Sequence, residues 1–193
     1  MLAALPDKLE SALRGNPVVS AVLDGWAELQ LPSCWLVAGA VYQSYWNTAF
    51  GFAPRHGISD VDVIYFDPDD LSEEAENEHA GRVNSRHANL NMRFDVKNEA
   101  RVHLWYEDRF GYPIDAYTSA ESAMETFPTT MGAIGIRPDG EKLEAYAPFG
   151  FDDLLSLTVR PNKRQITRSI YTDKVRRWVS LWPQLKVVDW EDA

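Results

Sequence analysis

A single cysteine, Cys34, in 193 residues leaves no partner for an intrachain disulfide, so a disulfide scaffold is excluded and a reducing compartment is expected. Cys34 itself lies in an apolar run and reads as a small buried hydrophobe. Positive charge is scarce too. Nineteen Lys and Arg stand against 29 Asp and Glu, a net charge of −10 that argues against a broad DNA-binding surface. No apolar run approaches the length of a membrane-spanning helix, so no membrane partner is expected. The N-terminal MLAALPDKLESAL mixes charges and carries an early proline, unlike a secretory leader. Repeats, low-complexity tracts and linkers are missing as well. These absences lead us to expect a soluble, cytoplasmic protein.

What is present is a core-forming composition. Hydrophobic residues make up 45% of the chain, and the seven Trp alone speak against disorder. The most informative stretch is Gly57–Asp67, GISDVDVIYFD. Asp60 and Asp62 open a run of β-formers, and alternation puts both acids on the face shared by Ile64 and Phe66. Their Cα atoms then lie roughly 6.5 Å apart. Two ionised carboxylates about 4 Å apart repel by ~4 kcal/mol at an effective dielectric of about 20. A divalent ion relieves that repulsion, and carboxylate oxygens suit Mg²⁺ (or Mn²⁺). The other reading of the same pattern is a strand entry with two solvated aspartates.

Before this strand, residues 1–14 and Val18–Leu29 read as helices separated by Gly15-Asn16-Pro17. Cys34–Ala38 reads as a short strand feeding a glycine turn, and Val41–Ala49 as a helix. Backbone can approach a ligand closely at glycine, and free amides at a helix start attract phosphate. Gly39 and Ala40 are therefore the candidate phosphate seat, with Asp60 and Asp62 supplying the bridging metal. Gly39 taken alone would be an ordinary turn residue.

The segments LVAGAVYQSYW and GISDVDVIYFD together resemble the nucleotidyltransferase superfamily of the DNA polymerase β type. Its signature is a Gly-Gly or Gly-Ser turn followed by a strand bearing Asp-x-Asp or Asp-x-Glu. The chain is more closely similar to a bacterial nucleotidyltransferase-like family, through DVKNEARVHLWY, TTMGAIGIR and PFGFDDLLSLTVRPN. The likeness covers about residues 33–182. It implies Mg²⁺-dependent nucleotidyl transfer from a nucleoside triphosphate to an acceptor, whether small molecule, protein or RNA. Two departures stand out: Gly39-Ala40 lacks the serine, and the interval to Asp60 is longer than in the minimal pattern.

The resemblance also implies a third acid on a neighbouring strand, and Asp95 is the natural candidate. Leu90–Lys97 alternates strictly, with Leu90, Met92, Phe94 and Val96 on one face and Arg93, Asp95 and Lys97 on the other. A plain ion pair with Arg93 or Lys97 would account for Asp95 equally simply. Lys97 and Arg137 complete the candidate phosphate-binding set, an exposed strand-end charge being the alternative for Arg137. Asp70 reads as a helix cap with Glu73 reaching back. SEEAENEHAGR reads as a solvated helix, and His79 and His87 as surface residues. Pro113–Tyr117 should return to the core, and Thr129–Arg137 should be a glycine-interrupted strand. Lys163–Trp182 reads as a long helix whose basic residues are either a solvated face or the lining of a triphosphate groove.

The expected fold is α/β (α+β): a nucleotidyltransferase-like mixed β-sheet flanked by helices, with helical additions at both ends. Residues 1–193 are expected to form one domain, with a catalytic core over about 30–120 and C-terminal strands and helices over about 121–193. Two other readings remain open. One is a nucleotide-binding or interaction protein on a degenerate version of the fold. The other, a phosphatase of the haloacid-dehalogenase type, is disfavoured because its acids end an apolar strand, whereas here they begin one.

Overall fold

The apolar runs singled out above form the middle of a six-stranded sheet in a computed structural model that describes residues 2–193. The first half of the chain gives β1 (Leu2–Ala4), α1 (Asp7–Gly15), α2 (Pro17–Asp24), β2 (Trp35–Val37), α3 (Gly39–Phe50), β3 (Asp60–Tyr65), α4 (Glu73–Arg86) and β4 (Arg93–Asn98). The second half gives α5 (His103–Phe110), α6 (Ala120–Met124), β5 (Gly135–Asp139), β6 (Lys142–Tyr146), α7 (Asp152–Leu155), β7 (Thr158–Val159), α8 (Arg168–Leu181) and β8 (Lys186–Val187). The sheet order is β1-β6-β5-β2-β3-β4, and β7 pairs separately with β8. Neighbours in the large sheet are antiparallel except β3 and β4, which are parallel. A parallel pair needs a crossover, and α4 supplies it.

Alternation along the strands decides where the core sits. Leu36, Val61, Val63, Phe94 and Val96 are buried in the main cluster with Leu9 and Leu13 of α1, Val41 and Trp46 of α3 and Val83 of α4. The opposite face carries Trp35, Val37 and Ile64, covered by Ala120 and Met124 of α6 in a second, smaller cluster. Asn16 ties the helical layer together. Its Oδ1 accepts from the amides of Val18 and Val19, capping α2, while its Nδ2 donates to Ser44 Oγ of α3 and to the Pro54 carbonyl.

Several local expectations change. Leu2–Ala4 is an edge strand paired with β6 rather than helix, because Pro6 sits at the N-cap and α1 starts after it; Met1 lies outside the described residues. The expected Val18–Leu29 helix stops at Asp24, and Trp26–Leu29 is a 3₁₀ turn. Ser72, not Asp70, caps α4; Asp70 instead accepts from the Ser72 amide and hydroxyl. That helix is not wholly solvated: Glu76 and Val83 are buried. His87 is buried against Phe94 rather than exposed. Pro113–Tyr117 does not return to the core, since Pro113, Asp115 and Ala116 are exposed, and of the expected glycine-interrupted strand only the end that falls within Gly135–Asp139 pairs in the sheet. Residues 163–167 precede α8, which begins after its Thr167 cap.

Candidate active site

Strand register builds the site first. In the parallel β3–β4 pair, Asp62 stands directly opposite Asp95, and Asp60 opposite Arg93. On the other flank Val37 pairs with Asp62. Asp60, Asp62 and Asp95 therefore share one sheet face, just where β2 ends and the chain turns into α3. The turn is abrupt: Ala38 adopts φ 55°, ψ −137°, a conformation costly for a residue with a Cβ, and its side chain makes no cap. α3 starts at Gly39 without a side-chain cap, and the Gly39 amide faces the Asp62 carboxylate.

Asp60, Asp62 and Gly39 line one cavity of about 490 Å³ together with Gln43 of α3 and Lys174 and Arg177 of α8. Burial is the main reason the Asp62 carboxyl is pushed up to about 7; the neighbouring charges of Asp60 and Asp95 add to it, while Lys174 and the Gly39 amide oppose it. Lys174 is shifted down, chiefly by its own burial and then by Arg177, against the pull of Asp62 and Asp60. Half-buried acids thus face a half-buried lysine across the cavity.

The aromatic wall explains how α8 reaches this place. Trp46 of α3 meets Trp178 at 5.7 Å and Trp182 at 5.1 Å, both edge to face, and Tyr42 meets Trp178 at 5.6 Å. Trp182 Nε1 donates to Asn47 Oδ1 (2.8 Å), and Asn47 Nδ2 donates to the carbonyls of Pro54 and His56. Asn47 thereby clamps both Trp182 and the 51–59 loop. The longer interval before Asp60 is that loop, which forms one wall of the cavity through Gly57 and Ser59.

The other candidates are placed as follows. Asp95 lies 3.5 Å from Arg93 Nη2 and 3.8 Å from Lys97 Nζ, and lines an adjoining cavity rather than the one holding Asp60. Lys97 also lies 3.4 Å from Glu76, so carboxylates occupy its ammonium. Ala40 is fully buried and offers a backbone amide, not a side chain, to the turn. Arg137 points elsewhere: its Nε donates to Glu144 Oε1 (2.6 Å), and the guanidinium lies 4.0 Å over the Trp35 ring. Within the basic C-terminal segment, Arg164, Arg168 and Arg176 pair with Glu125, Glu191 and Asp173. Lys174 and Arg177 alone of its basic residues line the cavity with Asp60 and Asp62. The sequence places these two among the six basic residues that could line a triphosphate groove without separating them from the other four, and it does not point to Gln43. The signal was present as the Lys174, Arg177, Trp178, Leu181 stripe at helical spacing.

The donor set fits a hard divalent cation. Gln43 is 6% exposed and its Oε1 has no hydrogen-bond partner, yet it lines the cavity beside the carboxylates of Asp60 and Asp62. Oxygen donors of this kind are what Mg²⁺ takes. Among the described residues, no three acidic, histidine or cysteine side chains already converge on one point. Asp95 is flanked on its own strand by Arg93 and Lys97.

Comparison with known proteins shows the family and the fold. A protein family described as Nucleotidyltransferase matches residues 24–187. An NMR structure described as revealing a CCA-adding enzyme head domain is similar, with a TM-score of 0.77 and 27% identity over 94% of each chain. No curated protein matches.

Proposed function

This chain belongs to the nucleotidyltransferase family, and from that premise we propose that it transfers a nucleotidyl group from a nucleoside triphosphate to an acceptor hydroxyl, using the face of Asp60, Asp62 and Asp95. One observation carries the proposal: a strand-borne acid pair and the uncapped start of α3 line the same cavity as two basic residues of α8. Opposed charges of that kind suit a metal–triphosphate and little else.

Each residue has a task. The amides of Gly39 and Ala40 receive the triphosphate, and Lys174 and Arg177 meet the negative charge that grows on the departing pyrophosphate. Asp60, Asp62 and Asp95, with Gln43 Oε1, would hold Mg²⁺ (or Mn²⁺), which supplies charge neutralisation at the attacking and leaving oxygens. Asp95 takes the acceptor's hydroxyl proton. Lys97 positions Asp95 through their ion pair; Arg137, held by Glu144 and Trp35, has no part in the transfer.

The test is transfer itself. Each α-labelled triphosphate is incubated with the protein, Mg²⁺ or Mn²⁺ and a small-molecule and macromolecular cell extract. A labelled covalent adduct is expected with wild type and not with Asp62→Asn. Adduct formation unchanged by that substitution would overturn the assignment.

A further inference from the structure

Beside the triphosphate cavity lies another of about 410 Å³, reached across Lys174, which lines both. Its floor is one row of β4 and the turn that follows, Asp95, Lys97 and Glu99. Its walls are mainly aromatic, from Trp105, Tyr106 and Phe110 of α5 and Phe127. Glu99 is the anomaly: the residue is 7% exposed, lines the cavity and has no hydrogen-bond partner among the described residues. Burial pushes its carboxyl up to about 8, with Glu76 adding to the shift and Lys97 opposing it. Its near neighbour Lys97 is committed to Glu76 and Asp95. Arg109 stands over the rings of Trp105 and Phe110, and Lys174 faces Asp62.

We infer that this cavity seats the acceptor, and that the acceptor is a small hydroxyl compound bearing a protonated amine. The identification of the bound compound as an acceptor rests on the transfer reading; the chemistry of the cavity does not. A buried carboxyl without a partner calls for a ligand that brings hydrogen-bond donors. A hydrocarbon would leave it unsatisfied, whereas a cation stabilises the ionised form that burial disfavours, so an ammonium displaces the carboxyl's proton as it binds. An ammonium brings three donors and is attracted to aromatic faces as well. The volume admits a small molecule and not a folded partner.

Asp95 and Glu99 then divide the acceptor between them. Glu99 holds the ammonium, whose nitrogen lone pair stays protonated and unreactive, and the hydroxyl is left beside Asp95. The hydroxyl oxygen forms a bond to the α-phosphorus as the α–β P–O bond breaks. Pyrophosphate leaves with that electron pair, and the hydroxyl proton passes to Asp95. The product is an O-nucleotidyl ester with a free amine.

The test uses two probes that differ at one group, 2-amino-1-phenylethanol and 1-phenylethane-1,2-diol, titrated without triphosphate and followed by ligand-observed NMR. Wild type is expected to bind the amine at least about tenfold more tightly. Glu99→Gln should erase that preference while leaving triphosphate affinity as it was. Equal affinity of wild type for the two probes, or a preference that survives in Glu99→Gln, would overturn the inference. Should the Gln variant fail to fold, the wild-type comparison decides by itself, and Phe110→Ala on the exposed rim should weaken both probes alike. Neither readout requires turnover. A chain that binds amines but transfers nothing would sink the transfer reading and leave this one standing, and the reverse outcome separates them equally well.

Discussion

Gly57 shows how one missing side chain sets the shape of the site. It adopts φ +69°, and a Cβ there would lie 2.2 Å from Trp182 Cη2. Gly57→Ala must push back a ring that Asn47 and Trp46 hold in place, and must also adopt a left-handed conformation. Overpacking and the backbone penalty together predict a loss of roughly 2–4 kcal/mol, read as a lowered urea midpoint. An unchanged midpoint would show that Trp182 is free to move. Glu99 governs a pH effect instead. Its carboxyl holds a proton up to about 8 when folded and to 4.5 when unfolded. Between those values the folded chain binds more protons than the unfolded one, so this group's contribution to stability falls as pH rises. It is fully present below 4.5 and lost by the time pH passes 8. Urea titrations of wild type and Glu99→Gln at several pH values should therefore diverge, with wild type losing ground as pH rises from 5 to 9. Parallel curves would contradict the burial argument. Ala40 is fully buried, so Ala40→Ser would bury its hydroxyl in the core rather than present it to the cavity. We expect no gain in triphosphate affinity and a cost of about 1–2 kcal/mol in stability, measured by calorimetric titration and thermal melting.

Among the elements, α8 carries the least obvious information. Its basic residues divide cleanly: Arg176 pairs with Asp173 at the surface, while Lys174 and Arg177 line the cavity. Arg177→Ala should weaken triphosphate binding roughly tenfold, as expected for losing a charge-assisted contact, and Arg176→Ala should leave it within about twofold. Equal effects would mean that α8 acts through its overall charge alone. How far each element was readable follows the same division. β4 was legible because strict alternation leaves one register that buries Phe94 and Val96, and β3 because a run of β-formers follows its two acids. α8 was legible as a helix, but its true start at Thr167 was hidden by a basic, polar run with no strong breaker. β1 was illegible, since Leu2–Ala4 has no pattern of its own and becomes a strand only by pairing with β6. The polar look of α4 concealed a tertiary fact: Glu76 is buried because Arg101 and Lys97 come to it from β4 and the turn beyond.

For the molecule as a whole, the sheet makes the site by bringing together residues far apart in sequence. Asp62 and Asp95 are opposite each other only because α4 returns the chain to a parallel partner. The acid pair and the glycine turn could be read along the chain. The base that answers them could not, because the contact of α8 with α3 depends on Trp46 meeting Trp178 and Trp182 edge to face across the fold. Nor could Glu99 be read as a buried unpaired acid, since its burial is produced by α5 and the 126–128 segment. The architecture therefore stakes most on one claim, that the cavity of Asp60 and Asp62 is a triphosphate seat. Calorimetric titration of MgATP and MgGTP into wild type and into the doubly substituted Asp60→Asn, Asp62→Asn protein tests it most directly. Wild type should bind at least one of them, and the double variant should bind at least ~100-fold more weakly, a loss of ~2.7 kcal/mol. Its thermal midpoint without metal should be equal or higher, because a buried like-charge repulsion has been removed. Unchanged affinity in a folded double variant would contradict the site.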